Sequence, residues 1–166
     1  MISWGMGCCG PGVGDLAKLR ALTGPERRLL LVCFVATPFV AAGLAIFGFK
    51  RLHAVMARRS RSRSARFLTA QAAEARARSA AKVVAIATGR GPVRATCLRR
   101  SLLLWWLLRR DGIETVLRVG VSRDSATLHA HAWVEYLGRP VNDADDIALR
   151  FPAFDQDLGA SQERAS

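Results

Sequence analysis

Acidic side chains are scarce in this sequence, and the scarcity is confined to one part of it. The 166 residues hold 13 Asp and Glu against 25 Lys and Arg, which gives a formal net charge of +12. Residues 1–110 contain 20 basic and only 3 acidic residues, whereas residues 111–166 contain 5 basic and 10 acidic residues. The positive charges are not interleaved with aromatic residues and no nucleic-acid-binding motif is recognisable, so we expect no nucleic-acid partner.

A disulfide framework and a secretory signal are also lacking. Of the four cysteines, Cys8 and Cys9 are adjacent and Cys33 lies in an apolar run, and neighbours in sequence rarely bond to each other. The glycine-rich opening, residues 1–14, has neither the basic start nor the small-residue cleavage site of a secretory signal. We therefore expect free thiols in a reducing cytoplasm and a loose segment over residues 1–28.

An uncharged apolar run extends from Leu29 to Phe49, and it is long enough to span a bilayer. Because Arg27-Arg28 precedes the run and Lys50-Arg51 follows it, the flanking charges do not set an orientation. The alternative to a span is a hydrophobic helix, or a pair of helices bent at Pro38, that lies against the rest of the chain or against a partner.

A polybasic segment follows the apolar run. Residues 50–66 contain seven Lys and Arg and no acidic residue, a pattern that favours an anionic membrane surface. A solvated linker is the alternative. We therefore expect an apolar helical and polybasic region over residues 29–64, in a cytoplasmic protein that contacts a membrane surface through Leu29 to Arg66.

Two further helices are predicted in the middle of the chain. The alanine-rich stretch from Ala65 to Ala87 has the composition of a helix that packs on a core, and Thr88 to Pro92 breaks it. Cys97 then opens a run of helical periodicity that ends at Asp111-Gly112, so we place Cys97 at a helix N-terminus. Unpaired N–H groups and the helix dipole favour a thiolate there. A small apolar residue at the start of a buried helix is the alternative.

Three antiparallel strands are predicted after this helix. Turn residues at 123–125 and 137–140 separate them, and their limits are Ile113 to Val121, Leu128 to Tyr136 and Val141 to Asp143. Alternation along the second strand gives one set of side chains a common face: His129, His131, Trp133 and Glu135. Pairing of the last two strands brings Asp143 alongside the histidines.

A cysteine at a helix start, a histidine on a central strand and a carboxylate on the next strand form the constellation that nucleophilic cysteine catalysis needs. The histidine takes the thiol proton and later protonates the leaving amine, and the carboxylate fixes the imidazole. Two alternatives use the same residue types. A zinc site would combine His129 and His131 with Cys97 or Asp143. A purely structural core would contain His131 as a buried, hydrogen-bonded residue.

The stretch from Gly91 to Asp146 resembles a known family. Its motifs are C-L-R-R-S-L-L-L-W-W-L-L-R-R-D-G-I, L-R-V-G-V and A-H-A-W-V-E-Y-L-G-R-P-V-N-D. They closely resemble those of the transglutaminase-like cysteine proteases that remove leader peptides in lasso peptide biosynthesis. The resemblance implies that Cys97 is the nucleophile, that His131 is the general base and acid, and that Asp143 orients His131. His129 falls outside the matching motif.

The same resemblance implies an α+β fold with a papain- and transglutaminase-like core, in which the cysteine-bearing helix packs on an antiparallel sheet. We expect this peptidase domain over residues 65–158, after the apolar helical region, and a disordered tail over residues 159–166. The implied substrate is a lasso precursor peptide, and the implied partners are a small leader-recognition protein and an ATP-dependent macrolactam synthetase. No metal and no cofactor are implied. A non-catalytic, membrane-attached binding module on the same fold is the alternative function.

Overall fold

A computed structural model describes residues 3–4, 23–60, 69–90, 96–124 and 127–153 of the chain. In these residues the chain forms, in order, β1 (Ser3–Trp4), α1 (Gly24–Ser60), α2 (Ala70–Arg90), α3 (Cys97–Arg110), β2 (Val116–Asp124), β3 (Thr127–Tyr136), β4 (Arg139–Pro140) and α4 (Ile147–Arg150). Most of the segment predicted to be loose, with Cys8 and Cys9, lies outside the described residues. The predicted tail over residues 159–166 lies wholly outside them.

Helix α3 begins and ends where the sequence predicts. The Oγ1 atom of Thr96 accepts a hydrogen bond from the N–H of Arg99 at 3.4 Å and so caps the N-terminus. At the other end Gly112 takes a φ of 78°, and the N–H groups of Gly112 and Ile113 bond to two of the last helical carbonyls. Caps at both ends therefore fix Cys97 as the first residue of α3.

Strand β3 is the centre of a small sheet. It pairs antiparallel with β2 on one edge, where Gly120 lies opposite His131. The other edge pairs with β1 near His129 and with β4 near Tyr136. The turn into β4 is Leu137-Gly138, where both residues have positive φ values, 49° and 76°. Between its pairings with β1 and β4, this edge of β3 faces helix α3.

Two strand predictions are wrong in their limits. The predicted turn at residues 123–125 overlaps β2, which continues to Asp124 and pairs there with Thr127. The predicted third strand at 141–143 is displaced to β4. The N–H of Val141 still donates to the Val134 carbonyl at 2.9 Å, but the N–H of Val134 donates to the side-chain Oδ1 of Asn142 at 2.8 Å, so backbone pairing ends there. The chain therefore leaves the sheet just before Asp143.

Helix α1 bends at Gly48 and not at the predicted Pro38. Gly48 has φ 72° and ψ 171°, whereas Pro38 lies inside a helical stretch. The bend folds residues 49–60, the second arm of α1, back on residues 24–47, the first arm. Leu52 packs so close to Gly43 that a Cβ on Gly43 would lie 2.9 Å from a Leu52 methyl carbon. A glycine at each of the two positions therefore permits the turn.

Part of the polybasic segment forms the second arm of α1. Residues 50–60 are helical, and His53, Met56 and Ser60 are buried. The ring of His53 stacks between Phe49 and Trp105, with centroid distances of 5.6 and 4.3 Å. A solvated linker is therefore wrong for residues 50–60, while residues 61–66 lie outside the described part of the chain.

The described elements form layers with α3 in the middle. Helix α3 contacts α1 and α2 on one side and strands β2 and β3 on the other. Helix α2 extends three residues beyond the predicted Ala87, because the hydroxyl of Thr88 bonds to the carbonyl of Val84 at 2.7 Å and so is satisfied within a helix. The predicted α+β class is confirmed: a cysteine-bearing helix packs on a small, mainly antiparallel sheet after an apolar helical region.

Candidate active site

The structure brings Cys97, His131 and Asp143 together. Cys97 is the first residue of α3 and is half-buried, and His131 lies on β3 where that strand faces the start of α3. The Nε2 atom of His131 lies 2.6 Å from Oδ2 of Asp143. His131 also interacts with Cys97, since its proximity lowers the pKa of the Cys97 thiol. The three candidate side chains therefore lie together, with the imidazole between the thiol and the carboxylate.

This arrangement assigns the two ring nitrogens of His131 to different partners. Because Nε2 bonds to the carboxylate of Asp143, Nδ1 is the nitrogen left to exchange a proton with the Cys97 thiol. An imidazole that donates one N–H to a carboxylate is held in one tautomer and one ring orientation. The rings of Phe151 and Trp133 flank the imidazole, with centroid distances of 5.1 and 6.4 Å. His131 is therefore oriented from several sides.

Asp143 is held as a carboxylate. Burial raises the pKa of its carboxyl, but the hydrogen bond from His131, the N–H of Ala144 and the charges of His131 and Arg100 together lower that pKa below its ordinary value. The Ala144 N–H donates to Oδ1 at 3.0 Å, so the two carboxylate oxygens have separate partners. One oxygen accepts the backbone N–H that positions Asp143, and the other accepts the hydrogen bond of the imidazole.

The electrostatics favour a charged imidazolium at His131. The hydrogen bonds to Asp143 and to Cys97, with the negative charges of those two groups, outweigh burial and raise the pKa of His131 to about 9. A histidine in this environment holds its proton at neutral pH. It can therefore donate that proton to a leaving group in the site.

The thiol of Cys97 is shifted in the opposite direction. Burial raises the pKa of Cys97, but the hydrogen bond and charge of His131 and the backbone N–H groups of Ala132 and Leu98 outweigh burial and lower it. Cys33 is the contrast within the same chain, since burial alone raises its pKa to about 12. The two shifts therefore both favour a thiolate–imidazolium pair, which is the reactive form of a nucleophilic cysteine.

A buried polar network fixes the distance between α3 and β3. Ser101, one turn after Cys97, is fully buried and donates from Oγ to the Ala132 carbonyl at 2.8 Å. Asn142 donates from Nδ2 to Ser101 Oγ at 3.0 Å and accepts the N–H of Val134 at 2.8 Å. These bonds join the cysteine helix, the histidine strand and the residue before Asp143.

Sequence reasoning missed Ser101 and Asn142. A serine on the otherwise apolar face of α3, four residues after Cys97, was the available signal, and Asn142 stands directly before Asp143 in sequence. Neither pattern shows that the two side chains meet, because they are 41 positions apart. Their role is visible only from the folded contacts.

The zinc hypothesis has no ligand set in the part of the chain that the structure describes. There, no group of three or more His, Cys, Asp and Glu side chains is placed to hold a metal ion. His129 lies two residues from His131 on β3 and pairs in register with Ser122 of β2. The donors that a tetrahedral zinc site needs do not converge on the two histidines.

Comparison with known proteins adds one finding. A family model described as "Transglutaminase-like superfamily" matches residues 40–153, more than half of the chain, and this range includes Cys97, His131 and Asp143. No curated protein and no solved structure matches the chain. The match begins inside the first arm of α1 and ends just after α4, so it covers most of the described elements.

Proposed function

The chain belongs to the transglutaminase-like superfamily, and from this membership we propose that it is a cysteine peptidase that removes the leader peptide from a lasso peptide precursor. The observation that carries the proposal is the 2.6 Å contact between His131 and Asp143, beside a Cys97 thiol whose pKa His131 lowers. The narrower substrate class is supported by the resemblance of residues 91–146 to lasso leader peptidases. Peptide-bond hydrolysis needs no group beyond these side chains and water.

Acylation uses the thiolate and the imidazolium in turn. The thiolate of Cys97 attacks the scissile carbonyl, and a carbon–sulfur bond forms while the carbonyl oxygen becomes an oxyanion. The imidazolium of His131 gives its proton to the departing nitrogen as the carbon–nitrogen bond breaks. The leader is then bound to Cys97 as a thioester, and the freed amine belongs to the core peptide.

Deacylation restores the pair. Neutral His131 takes a proton from water, whose oxygen attacks the thioester carbonyl. The carbon–sulfur bond breaks, and the thiolate and imidazolium re-form. Asp143 stays ionised throughout and holds His131 in position.

Backbone N–H groups at the start of α3 are suited to the oxyanion. The first N–H groups of a helix have no acceptor within the helix, and the N–H of Cys97 is one of them. We place the second hydrogen-bond donor to the oxyanion in the segment between Thr88 and Thr96. Residues 91–95 of that segment lie outside the described part of the chain.

The proposed cleavage lies between two steps that other proteins carry out. A leader-recognition protein presents the precursor, and an ATP-dependent macrolactam synthetase consumes the freed amine when it closes the ring. A binding module on the same fold would need neither an ionised thiol nor an oriented histidine, so the lowered pKa of Cys97 counts against that alternative.

Mass spectrometry of a cognate precursor peptide tests the proposal. The peptide is incubated with the protein and its recognition partner, using wild type, Cys97→Ala and the matched control Cys33→Ala, each with and without a chelator. We expect one cleavage that survives the chelator and Cys33→Ala and disappears in Cys97→Ala. Cleavage that persists in Cys97→Ala overturns the proposal. Cleavage lost to the chelator would point to the zinc alternative.

A further inference from the structure

The first arm of α1 has two apolar faces, and only one of them is packed inside the protein. The packed face is buried and consists of Cys33, Thr37, Val40 and Gly43. The opposite face carries large side chains that are 61–72% exposed, namely Leu31, Val35, Phe39 and Ile46. Their spacing of four, four and seven residues aligns them in one stripe, about 22 Å long at 1.5 Å per residue. The stripe has no partner among the described residues.

A groove that Leu31, Val35 and Phe39 of the stripe line on one side extends the apolar surface to α3. It has a volume of about 520 Å³ and lies between the first arm and α3, where Trp106 forms its far wall. The guanidinium of Arg110 stands 4.7 Å from the centroid of the Trp106 ring. The cation lies over the ring face, and tryptophan is enriched where a membrane's hydrocarbon meets its headgroups.

Positive charge flanks this apolar surface, and the acidic residue of the first arm, Glu26, is bonded to Ser79 of α2. From Arg27 to Arg66 the sequence contains nine Lys and Arg and no Asp or Glu. Arg27 and Arg28 are exposed at the start of the first arm, and Lys50 and Arg51 are exposed just past the bend at Gly48. The surface therefore complements one that is apolar inside and anionic outside.

The packed face argues against a helix that crosses the bilayer. By length and composition α1 could cross a membrane, and only 17% of its most apolar 18-residue stretch is buried. However, the first arm is held on α2 by a hydrogen bond of 2.8 Å from Ser79 to Glu26, and α2 exposes Arg76, Arg78 and Lys82. A span would have to leave this packing or take those charges into hydrocarbon.

We propose that the stripe and the groove seat the protein on an anionic lipid bilayer, with the first arm of α1 lying in the plane of the interface. The apolar side chains enter the outer hydrocarbon, and the flanking cations meet lipid phosphates. The packed face stays on α2 and α3, so the cysteine helix is kept at the membrane surface. This seat does not depend on the reaction proposed above.

Vesicle co-sedimentation of the full chain tests the seat. The probes are phosphatidylcholine vesicles with and without about one third phosphatidylglycerol. We expect binding to the anionic vesicles that falls at least tenfold on the zwitterionic ones, and tenfold again in Val35→Glu/Phe39→Glu. The matched control is Leu149→Glu, since Leu149 is 87% exposed on α4 and should bind as wild type. Circular dichroism and thermal melting establish that each variant is folded.

Three results would overturn the seat. One is equal binding of wild type and Val35→Glu/Phe39→Glu. Another is lipid-free self-association that the double variant abolishes, because the face would then belong to a second copy. The third is resistance of the membrane-bound protein to alkaline carbonate, which extracts a protein seated at the interface but leaves a spanning helix in the bilayer.

Discussion

His131 and Asp143 are joined by a contact of 2.6 Å between Nε2 and Oδ2, although they lie on different segments, β3 and the loop after β4. His131 is 8% exposed and Asp143 is 21% exposed, so the contact is only partly screened by water. It holds the imidazole in one tautomer and raises the pKa of His131 to about 9. The other ring nitrogen is thereby directed to Cys97, and the proposed chemistry rests on this orientation.

Asp143→Asn should leave a folded but slow enzyme. The amide removes the negative charge that stabilises the imidazolium and allows the ring to adopt the other tautomer, so the cleavage rate should fall by up to about 10⁴-fold. The melting temperature should also fall, because the partly buried ion pair with His131 is lost. Single-turnover cleavage with a calorimetric scan measures both. A variant with the wild-type rate would show that Asp143 does not orient the base.

Alkylation of Cys97 and peptide cleavage should depend differently on pH. The pKa of Cys97 is lowered and that of His131 is raised to about 9, and both shifts favour the ion pair below pH 9. Alkylation by iodoacetamide should therefore be fast well below the ordinary thiol pKa and should persist above pH 9. Peptide cleavage should fall as His131 loses its proton above about pH 9, because the leaving amine then has no acid.

Peptide mapping provides the control for that experiment. Cys33 is buried and its pKa is raised to about 12, so it should stay unlabelled in the native protein. If Cys97 were labelled only as the pH approached the pKa of an ordinary thiol, the ion pair would not exist.

Ser101→Ala should lower both stability and turnover. The substitution leaves the Ala132 carbonyl and the Asn142 amide without their buried partner, at a cost of about 1–3 kcal/mol in unfolding free energy. Because the same bonds set the gap between Cys97 and His131, kcat should fall more than KM changes. Urea unfolding and steady-state kinetics measure the two effects.

Ser79→Ala is the matched control for Ser101→Ala. It removes a hydrogen bond to Glu26 that is 2.8 Å long and lies away from the site, so it should affect stability alone. Equal loss of turnover in both variants would refute a positioning role for Ser101.

Gly120→Ala should disturb His131 from the opposite strand. Gly120 lies opposite His131 in the sheet, and a Cβ there would stand 2.5 Å from the carbonyl oxygen of Phe151. The backbone of Phe151 would have to move, and its ring packs on His131. We expect lower stability and lower turnover, measured by thermal melting and cleavage rate.

Gly89→Ala is the control for Gly120→Ala. A Cβ at Gly89 meets nothing within 4 Å in α2, so stability should rise or stay constant, since alanine is the better helix former by about 1 kcal/mol. If both glycine variants behaved alike, the close approach of Phe151 would have no consequence for the site.

Local signals account for what the sequence predicts correctly. The start and stop of α3 follow from Thr96, Asp111 and Gly112, which act on the backbone within a few residues. Alternation along β3 correctly places Trp133 beside Glu135, and their side chains bond at 2.8 Å. The contact of Asp143 with His131 follows from pairing in a short hairpin, even though the predicted third strand is displaced.

Contacts between distant residues account for what the sequence does not predict. The bend at Gly48 is stabilised by packing of Leu52 on Gly43, and nothing local distinguishes Gly48 from Pro38 as the bend. The meeting of Ser101 with Asn142 depends on how α3 docks on β3, which is a property of the assembled core. The exposure of the stripe on α1 likewise depends on which face α2 and α3 cover.

A leader peptide that ends in a chloromethyl ketone tests the central claim most directly. The reagent places an electrophile where the scissile carbonyl would lie, so only a nucleophile in the site should capture it. We predict one equivalent of label on Cys97 by peptide mapping, with loss of cleavage in proportion to labelling. Label on another residue, or cleavage that survives full modification of Cys97, would contradict the account.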